Sequence, residues 1–150
     1  SLMLGQEIFK NITLAHLGRL LSGLLNQRTE LEIAREQIGN VGLRPPEPNR
    51  PAGALSGGNQ QKVVLAKWLT QLPRLLILSE PTRGMDVGAK EEVMSIVRGL
   101  REQGVAILLI TTEPETLLSI ADRAVVLRKG RITAELSGAD LTKENLMRNA

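Results

Sequence analysis

The chain has 150 residues, of which 42% are hydrophobic and 23% charged, a composition that is typical of globular proteins and argues against a disordered chain. Its 19 Lys and Arg residues against 16 Asp and Glu residues give a net charge of +3, and no basic run indicates nucleic-acid binding. The absence of cysteine excludes disulfides and thiolate metal sites, and a single histidine excludes a multi-histidine site. The longest apolar run, Val105 to Ile110, has six residues and is too short to span a membrane.

The first fifty residues carry the apolar spacing of helices. Hydrophobic residues recur at three and four positions over residues 8–25. Thr29 to Glu32 has the S/T-x-x-E form of a capping box, which predicts a helix that begins there and ends near Gly39 or Gly42. Four prolines within residues 44–51 predict a rigid connector between two subregions, because proline breaks helices and central strands.

Beyond the connector, helices alternate with short apolar runs. We predict a helix over residues 59–71, with Trp68 as a packing anchor. The continuous apolar run 75–78 predicts a strand that is buried on both faces. Asp86 is expected to cap the next helix, which ends at Gly104.

The last third of the chain continues the alternation. We predict a second buried strand over residues 105–111, a helix opened by Pro114 and a hairpin over residues 124–136. Asp140 or Thr142 is expected to cap a final short helix. The order strand, helix, strand, helix, strand implies a parallel α/β sheet with right-handed crossovers.

Glu80 directly follows the first predicted strand. Ligands of parallel sheets bind off the carboxyl ends of the strands, and a carboxylate fixed there can orient or deprotonate a water that attacks a phosphoryl group. The alternative is that Glu80 only caps a loop.

Ser56, Gly57 and Gly58 lead into the predicted helix after the connector. Two glycines leave the backbone N–H groups unobstructed, and the positive end of the helix dipole lies behind them, which is an arrangement that binds anions such as a terminal phosphate. The alternative is a plain serine N-cap.

Taken together, these features resemble the ATP-binding-cassette (ABC) ATPase family. Leu55-Ser56-Gly57-Gly58, about twenty residues before the strand, is similar to the ABC signature, and the strand that ends at Glu80 is similar to Walker B. Gly84-Met85-Asp86 resembles the D-loop, and Ile110 to Glu113 the switch loop. The longer strings 55–63 and 80–90 resemble the second cassette of the tandem-cassette ATPases of bacterial ribose, galactose and xylose importers.

The resemblance implies an α/β fold, namely the C-terminal part of a P-loop NTPase core with a parallel sheet, plus an α-helical subdomain. It implies a helical subdomain over residues 1–52, a core portion with the four motifs over residues 53–138, and a C-terminal helix over residues 139–150. The phosphate loop G-x-x-x-x-G-K-[ST] does not occur in this sequence. We therefore expect a fragment that begins after that loop and is inactive alone.

The resemblance also implies an ATPase with ATP and Mg²⁺ as cofactors. Glu80 is the expected catalytic residue, and no metal ligand is predicted. In the family, the signature of one cassette closes over ATP held by another, so the chain would contribute to two sites. The expected nucleotide-binding residues are Ser56, Gly57, Gly58, Asn59, Gln60, Ser79, Asp86 and Thr112.

Two of these residues depart from the family pattern. Ser79 stands where the family has an aspartate that supports Mg²⁺, and its hydroxyl brings no negative charge. Thr112 holds the place of the switch histidine and cannot act as a cation. The intact signature beside the altered Ser79 predicts unequal ATP sites, with the site served by Ser79 the weaker hydrolase. Ser79 and Thr112 together leave open a catalytically weak or inactive cassette that serves as a regulatory nucleotide clamp.

The partners implied by the resemblance are a first ABC cassette on the same or a second polypeptide, membrane permease subunits and, indirectly, a periplasmic sugar-binding protein. The implied location is cytoplasmic and peripheral, on the inner face of the cell membrane. An ABC-type ATPase of DNA repair or translation is disfavoured, and no nucleic-acid partner is expected, because long heptad arms and basic runs are absent from the sequence.

Overall fold

The structure, a computed structural model, describes residues 2–16 and 26–150. The helical spacing predicted over residues 17–25 lies outside the described residues. The described helices are α1 (Ile8–Thr13), α2 (Gln27–Asn40), α3 (Gly57–Leu69), α4 (Val87–Glu102), α5 (Pro114–Leu118) and α6 (Lys143–Asn149). The described strands are β1 (Leu75–Ser79), β2 (Ala106–Ile110), β3 (Arg123–Arg128) and β4 (Arg131–Ser137), and short 3₁₀ turns lie at Leu14–His16, Ala52–Ala54 and Gly138–Asp140.

Side-chain caps mark the starts of α2, α4 and α6. Asp86 Oδ1 accepts from the Ala89 amide at 2.9 Å, which confirms the predicted cap of α4. At α6 the cap is Thr142, one of the two predicted candidates. The capping box at Thr29 is wrong, because Asn26 caps α2 three residues earlier by accepting from the Arg28 amide at 3.0 Å. Asparagine is among the strongest N-cap residues, so the helix starts at the first good cap.

Strands β1 and β2 form a parallel pair with Leu75 opposite Ala106 and Ser79 opposite Ile110. Their side chains alternate, and only one face of the pair packs against α3 and α4. Leu75 and Ile77 on the other face are 53% and 57% exposed. The prediction of strands buried on both faces is therefore wrong for the described residues, because an apolar run shows what a strand can bury and not what covers it.

Strand β3 does not extend the parallel sheet, contrary to the predicted order. It pairs with β4 in an antiparallel hairpin, which confirms the hairpin predicted over residues 124–136. The connecting residues Lys129 and Gly130 both have positive φ, 49° and 76°. A two-residue turn of this kind matches the twist of a hairpin, so β3 takes its hydrogen-bonded neighbour from the next segment of the chain.

Among the described residues, buried apolar side chains form three clusters. The first joins α1 and α2 to α3, the second joins α3 and α4 to β1, and the third joins the hairpin to α6. Helix α3 contributes Val63 and Ala66 to the first cluster and Leu65 to the second, so the helix that begins at the diglycine is packed on two sides. This double packing holds its N-terminal end in a fixed position relative to the sheet.

The proline-rich connector runs along the start of α1. The amides of Ile8 and Phe9 donate to the carbonyls of Arg50 and Pro48, each at 2.9 Å, and so the connector satisfies N–H groups that lack a partner within the helix. Trp68 is 47% exposed, which makes the prediction of a packing anchor wrong. None of the described helices combines the length and the apolar character that crossing a membrane requires.

Candidate functional site

Glu80 joins the ends of the two parallel strands. Its amide donates to the carbonyl of Ile110 at 2.8 Å, one step beyond the strand ladder. Its carboxylate accepts from the Thr112 amide at 2.9 Å through Oε1 and from the Thr111 hydroxyl at 3.3 Å through Oε2. The backbone of Glu80 is left-handed, with φ at +47°. The half-buried carboxylate thus lies at the carboxyl edge of the sheet, as the sequence predicts.

Beside Glu80 lies a polar cluster that sequence reasoning missed. Glu113 Oε1 pairs with Lys90 Nζ at 2.6 Å, and its Oε2 accepts from the hydroxyls of Thr116 and Thr82 at 2.8 and 3.3 Å. The bond from Lys90 and the bond from Thr116 lower the pKa of the Glu113 carboxyl below its ordinary value of 4.5. Burial opposes this shift but does not outweigh the bonds. Glu113 is therefore a charged anchor at physiological pH.

The missed residues differ in how visible they are in the sequence. Glu113 and Thr111 flank the predicted site residue Thr112 at a strand end, a signal that could have found them. Lys90 carries no such signal, because it lies inside α4 and meets its partner only through the fold.

The N-terminal tip of α3 is the second part of the site. Ser56 holds the N-cap position, but its side chain caps no helix amide. Instead the Ser56 hydroxyl accepts from Asn59 Nδ2 at 3.0 Å, while Asn59 Oδ1 accepts from the Arg44 amide at 3.1 Å. Gln60 Nε2 donates to the Leu55 carbonyl at 3.0 Å and braces the turn.

These bonds leave the first helix amides without a side-chain cap at an exposed tip. The first N–H groups of a helix have no intrahelical acceptor, so the tip offers donors to an anion. The observed arrangement favours the anion-binding interpretation over the plain serine cap.

The tip lies against the loop that follows Glu80. Gly57 and Gln60 line one wall of a cleft of about 220 Å³, and Arg83, Gly84 and Met85 line the other. At Gly58, a Cβ would lie 2.9 Å from the Cβ of Ala89, so glycine allows α3 to approach the first turn of α4. The structure therefore brings the predicted tip together with the predicted loop.

The remaining predicted residues make no hydrogen bond to the tip in the described part of the chain. Ser79 ends β1 and is exposed, and Thr112 is exposed beside Glu80. Asp86 uses its carboxylate as the cap of α4. Within the described part of the chain, no hydrogen bond joins the tip to Ser79, Glu80 or Thr112. The tip and the strand ends are therefore two polar surfaces that no described hydrogen bond connects.

Comparison with known proteins places this geometry in a family. The family model described as ABC transporter matches residues 2–83, which is more than half of the chain. The chain belongs to the ABC transporter family. Solved ABC structures share its fold. The dimeric, post-hydrolysis ATP-binding cassette MJ0796 bound to ADP and Pi has a TM-score of 0.77 at 22% identity, covering 91% of this chain and 59% of MJ0796.

A nucleotide-free ATP-binding cassette from an ABC transporter has a TM-score of 0.79 at 22% identity, covering 95% of this chain and 60% of that cassette. These neighbours confirm the predicted α/β ABC ATPase fold with a parallel sheet.

Curated ABC relatives are similar along nearly the whole chain. The xylose import ATP-binding protein XylG of Moorella thermoacetica is 46% identical over 146 residues, which are 97% of this chain and 29% of XylG. The ribose import ATP-binding protein RbsA of Roseobacter denitrificans is 44% identical over 149 residues, which are 99% of this chain and 29% of RbsA. The chain thus spans about 29% of the length of these relatives.

Proposed function

We propose that the chain is the C-terminal portion of the second ATP-binding cassette of a bacterial sugar importer, in which ATP hydrolysis drives carbohydrate uptake. The observation that carries the proposal is the carboxylate of Glu80, held at the strand ends by the Thr112 amide at 2.9 Å. The similarity to ribose and xylose import ATP-binding proteins over at least 97% of the chain supports the sugar class.

In this proposal the two polar surfaces serve different sites. Glu80 orients the attacking water in the cassette's own site, because a fixed carboxylate can accept a proton from water. Ser56, Gly57 and Gly58 complete the site of a partner cassette on the same or a second polypeptide, since the first amides of α3 have no side-chain cap at an exposed tip. Membrane permease subunits and, indirectly, a periplasmic sugar-binding protein are the further proposed partners. The cassette would work at the cytoplasmic face of the membrane.

The donor set fits ATP better than it fits Mg²⁺. The uncapped amides at the tip of α3 match the oxygen acceptors of a phosphate. Residues 2–16 and 26–150 contain no group of three or more acidic or histidine side chains that could hold a metal ion. Ser79 supplies a hydroxyl where a carboxylate would bind the cation more strongly. A complete Mg²⁺ site would therefore need ligands beyond these residues.

The test is ATP hydrolysis by the complete protein that contains this chain. We expect Glu80→Gln to lower kcat by about 10²-fold or more, because glutamine cannot take a proton. Glu135→Gln is the matched control, since Glu135 is an exposed glutamate on the hairpin that pairs with Arg123 at 2.7 Å. Hydrolysis that is equally fast in wild type and Glu80→Gln would remove Glu80 from the mechanism.

Ser79 favours a second candidate function, a nucleotide clamp with little turnover. Its exposed hydroxyl at the end of β1 leaves that position without a negative charge. If the site is weakened for this reason, Ser79→Asp in the complete protein should raise Mg²⁺ affinity and single-site hydrolysis. No gain in either quantity would contradict the proposal that Ser79 limits its own site.

A further inference from the structure

A continuous series of polar contacts leads from helix α4 to Glu80. Lys90 Nζ pairs with Glu113 Oε1 at 2.6 Å. The Glu113 amide donates to the Thr111 hydroxyl at 3.0 Å, and that hydroxyl donates to Glu80 Oε2 at 3.3 Å. The Thr112 amide, between these two residues, donates to the other oxygen of Glu80. Every residue of the loop 111–113 is thus bonded either to Glu80 or to the anchor on α4.

The anchor is built more firmly than an ordinary surface ion pair. Both side chains are about two-thirds buried, with exposures of 32% for Lys90 and 31% for Glu113. The second oxygen of Glu113 is held by Thr116 and by Thr82, which is fully buried. A carboxylate with both oxygens bonded has one orientation, and so it fixes the backbone on which it stands.

The orientation of Glu80 depends on that backbone. The two groups that donate to the Glu80 carboxylate are the hydroxyl of Thr111 and the amide of Thr112, immediately before Glu113. If the ion pair between Glu113 and Lys90 is broken, the loop 111–113 can move, and the Thr111 hydroxyl and the Thr112 amide move with it. A displacement of about 1 Å in such a group is enough to lower a rate by up to about 10²-fold.

We propose that Lys90 and Glu113 are positioning residues, whose ion pair holds the loop 111–113 so that the Thr111 hydroxyl and the Thr112 amide keep the Glu80 carboxylate in its working orientation. The inference rests on the proposed function in one respect, that Glu80 acts on the water. The assignment of the loop anchor itself rests only on the contacts.

The test compares Glu113→Gln and Lys90→Met with a matched control in the complete protein. The control is Glu115→Gln, because Glu115 lies two residues further along, pairs with Lys143 and has no bond to Glu80 or to residues 111–113. We expect kcat for ATP hydrolysis to fall about tenfold in the two test variants, with KM changed less than about twofold. The control should change neither quantity by more than about twofold. The exchanged pair, Lys90→Glu with Glu113→Lys, should recover part of the lost kcat.

Hydrogen exchange, measured by mass spectrometry on peptides that cover residues 111–113, provides a readout independent of turnover. We expect exchange there to accelerate about tenfold in Glu113→Gln and Lys90→Met and to stay unchanged in Glu115→Gln. Unchanged exchange in both test variants, or an equal loss of kcat in the control, would overturn the positioning role. If the wild-type protein hydrolyses no ATP, the proposed function fails, and the exchange experiment still decides whether the pair anchors the loop.

Discussion

Replacing Gly58 by alanine tests whether the tip of α3 is held by close packing on α4. The added Cβ would lie 2.9 Å from the Cβ of Ala89, whereas ordinary contacts of this kind begin at 3.4 Å. The two helices must therefore separate locally by about 0.5 Å, the difference between those distances. Because each helix is packed into the core on its other side, this movement disturbs buried contacts.

The expected free-energy change combines two opposing effects. Overpacking by one methyl group costs about 1–3 kcal/mol. Alanine favours the helix over glycine by up to about 1 kcal/mol, and less near the first turn. We expect Gly58→Ala to lower the free energy of unfolding by about 1 kcal/mol. The neighbouring change Gly57→Ala should not lower it, because nothing lies within 4 Å of a Cβ there.

The assay is urea denaturation followed by circular dichroism, in a double-mutant cycle with Ala89→Gly. Removing the Ala89 methyl group takes away the clash, so Gly58→Ala in that background should be neutral or stabilising, with a coupling energy of about 1–2 kcal/mol. If Gly58→Ala costs the same in both backgrounds, the contact between the tip and α4 does not limit the residue at position 58, and the reasoning is refuted.

Three further changes test other contacts. The buried Lys62 ammonium pairs with the exposed carboxylate of Glu92 at 2.7 Å and also donates to the Gly42 carbonyl at 2.9 Å. Because the Gly42 bond remains, Glu92→Gln should lower the free energy of unfolding by no more than about 1 kcal/mol, and a larger loss in urea titrations would contradict this. The lowered pKa of Glu113 means that the folded state binds fewer protons than the unfolded state just below pH 4.5. The difference in the free energy of unfolding between wild type and Glu113→Gln should thus be largest above that pH and disappear as the pH falls. A difference that persists at pH 2 would contradict this prediction. Lys129→Asn should raise the melting temperature, because the φ of residue 129 is +49° and asparagine adopts this conformation with about 0.5–1 kcal/mol less strain than lysine. An unchanged melting temperature would show that Lys129 is not strained.

Local patterns predicted the helices and strands well because their signals lie within a few residues. The cap at Asp86 and the strand at residues 75–78 are of this kind, and both are confirmed. The hairpin over residues 124–136 was predicted and is confirmed, but the order of elements did not show that β3 would pair with β4 alone among the described strands, since that depends on what else is available to each strand edge. The exposed face of β1 was not predictable either, because an apolar run does not show what covers a strand.

The residues of the candidate site likewise fall into those that the sequence predicted and those that it did not. Glu80 and the diglycine tip were predictable because strand ends and helix starts have positions that a sequence reveals. The anchor was not, because Lys90 and Glu113 are separated by 23 residues and look like ordinary surface charges. Their proposed role follows only from contacts that the fold creates, namely the ion pair itself and the bonds from Thr111 and Thr112 to Glu80.

The left-handed backbone of Glu80 links the orientation of this carboxylate to the stability of the strand ends. A non-glycine residue at a φ of +47° costs about 1–2 kcal/mol. The bond from its own amide to Ile110 extends the sheet, and its two side-chain bonds contribute about 1 kcal/mol each. These bonds offset the strain only while Thr111 and Thr112 stay in place, so the conformation of Glu80 requires an ordered loop. Glycine at position 80 would remove the strain but also the carboxylate. A role in orienting water therefore requires the strained glutamate at this position.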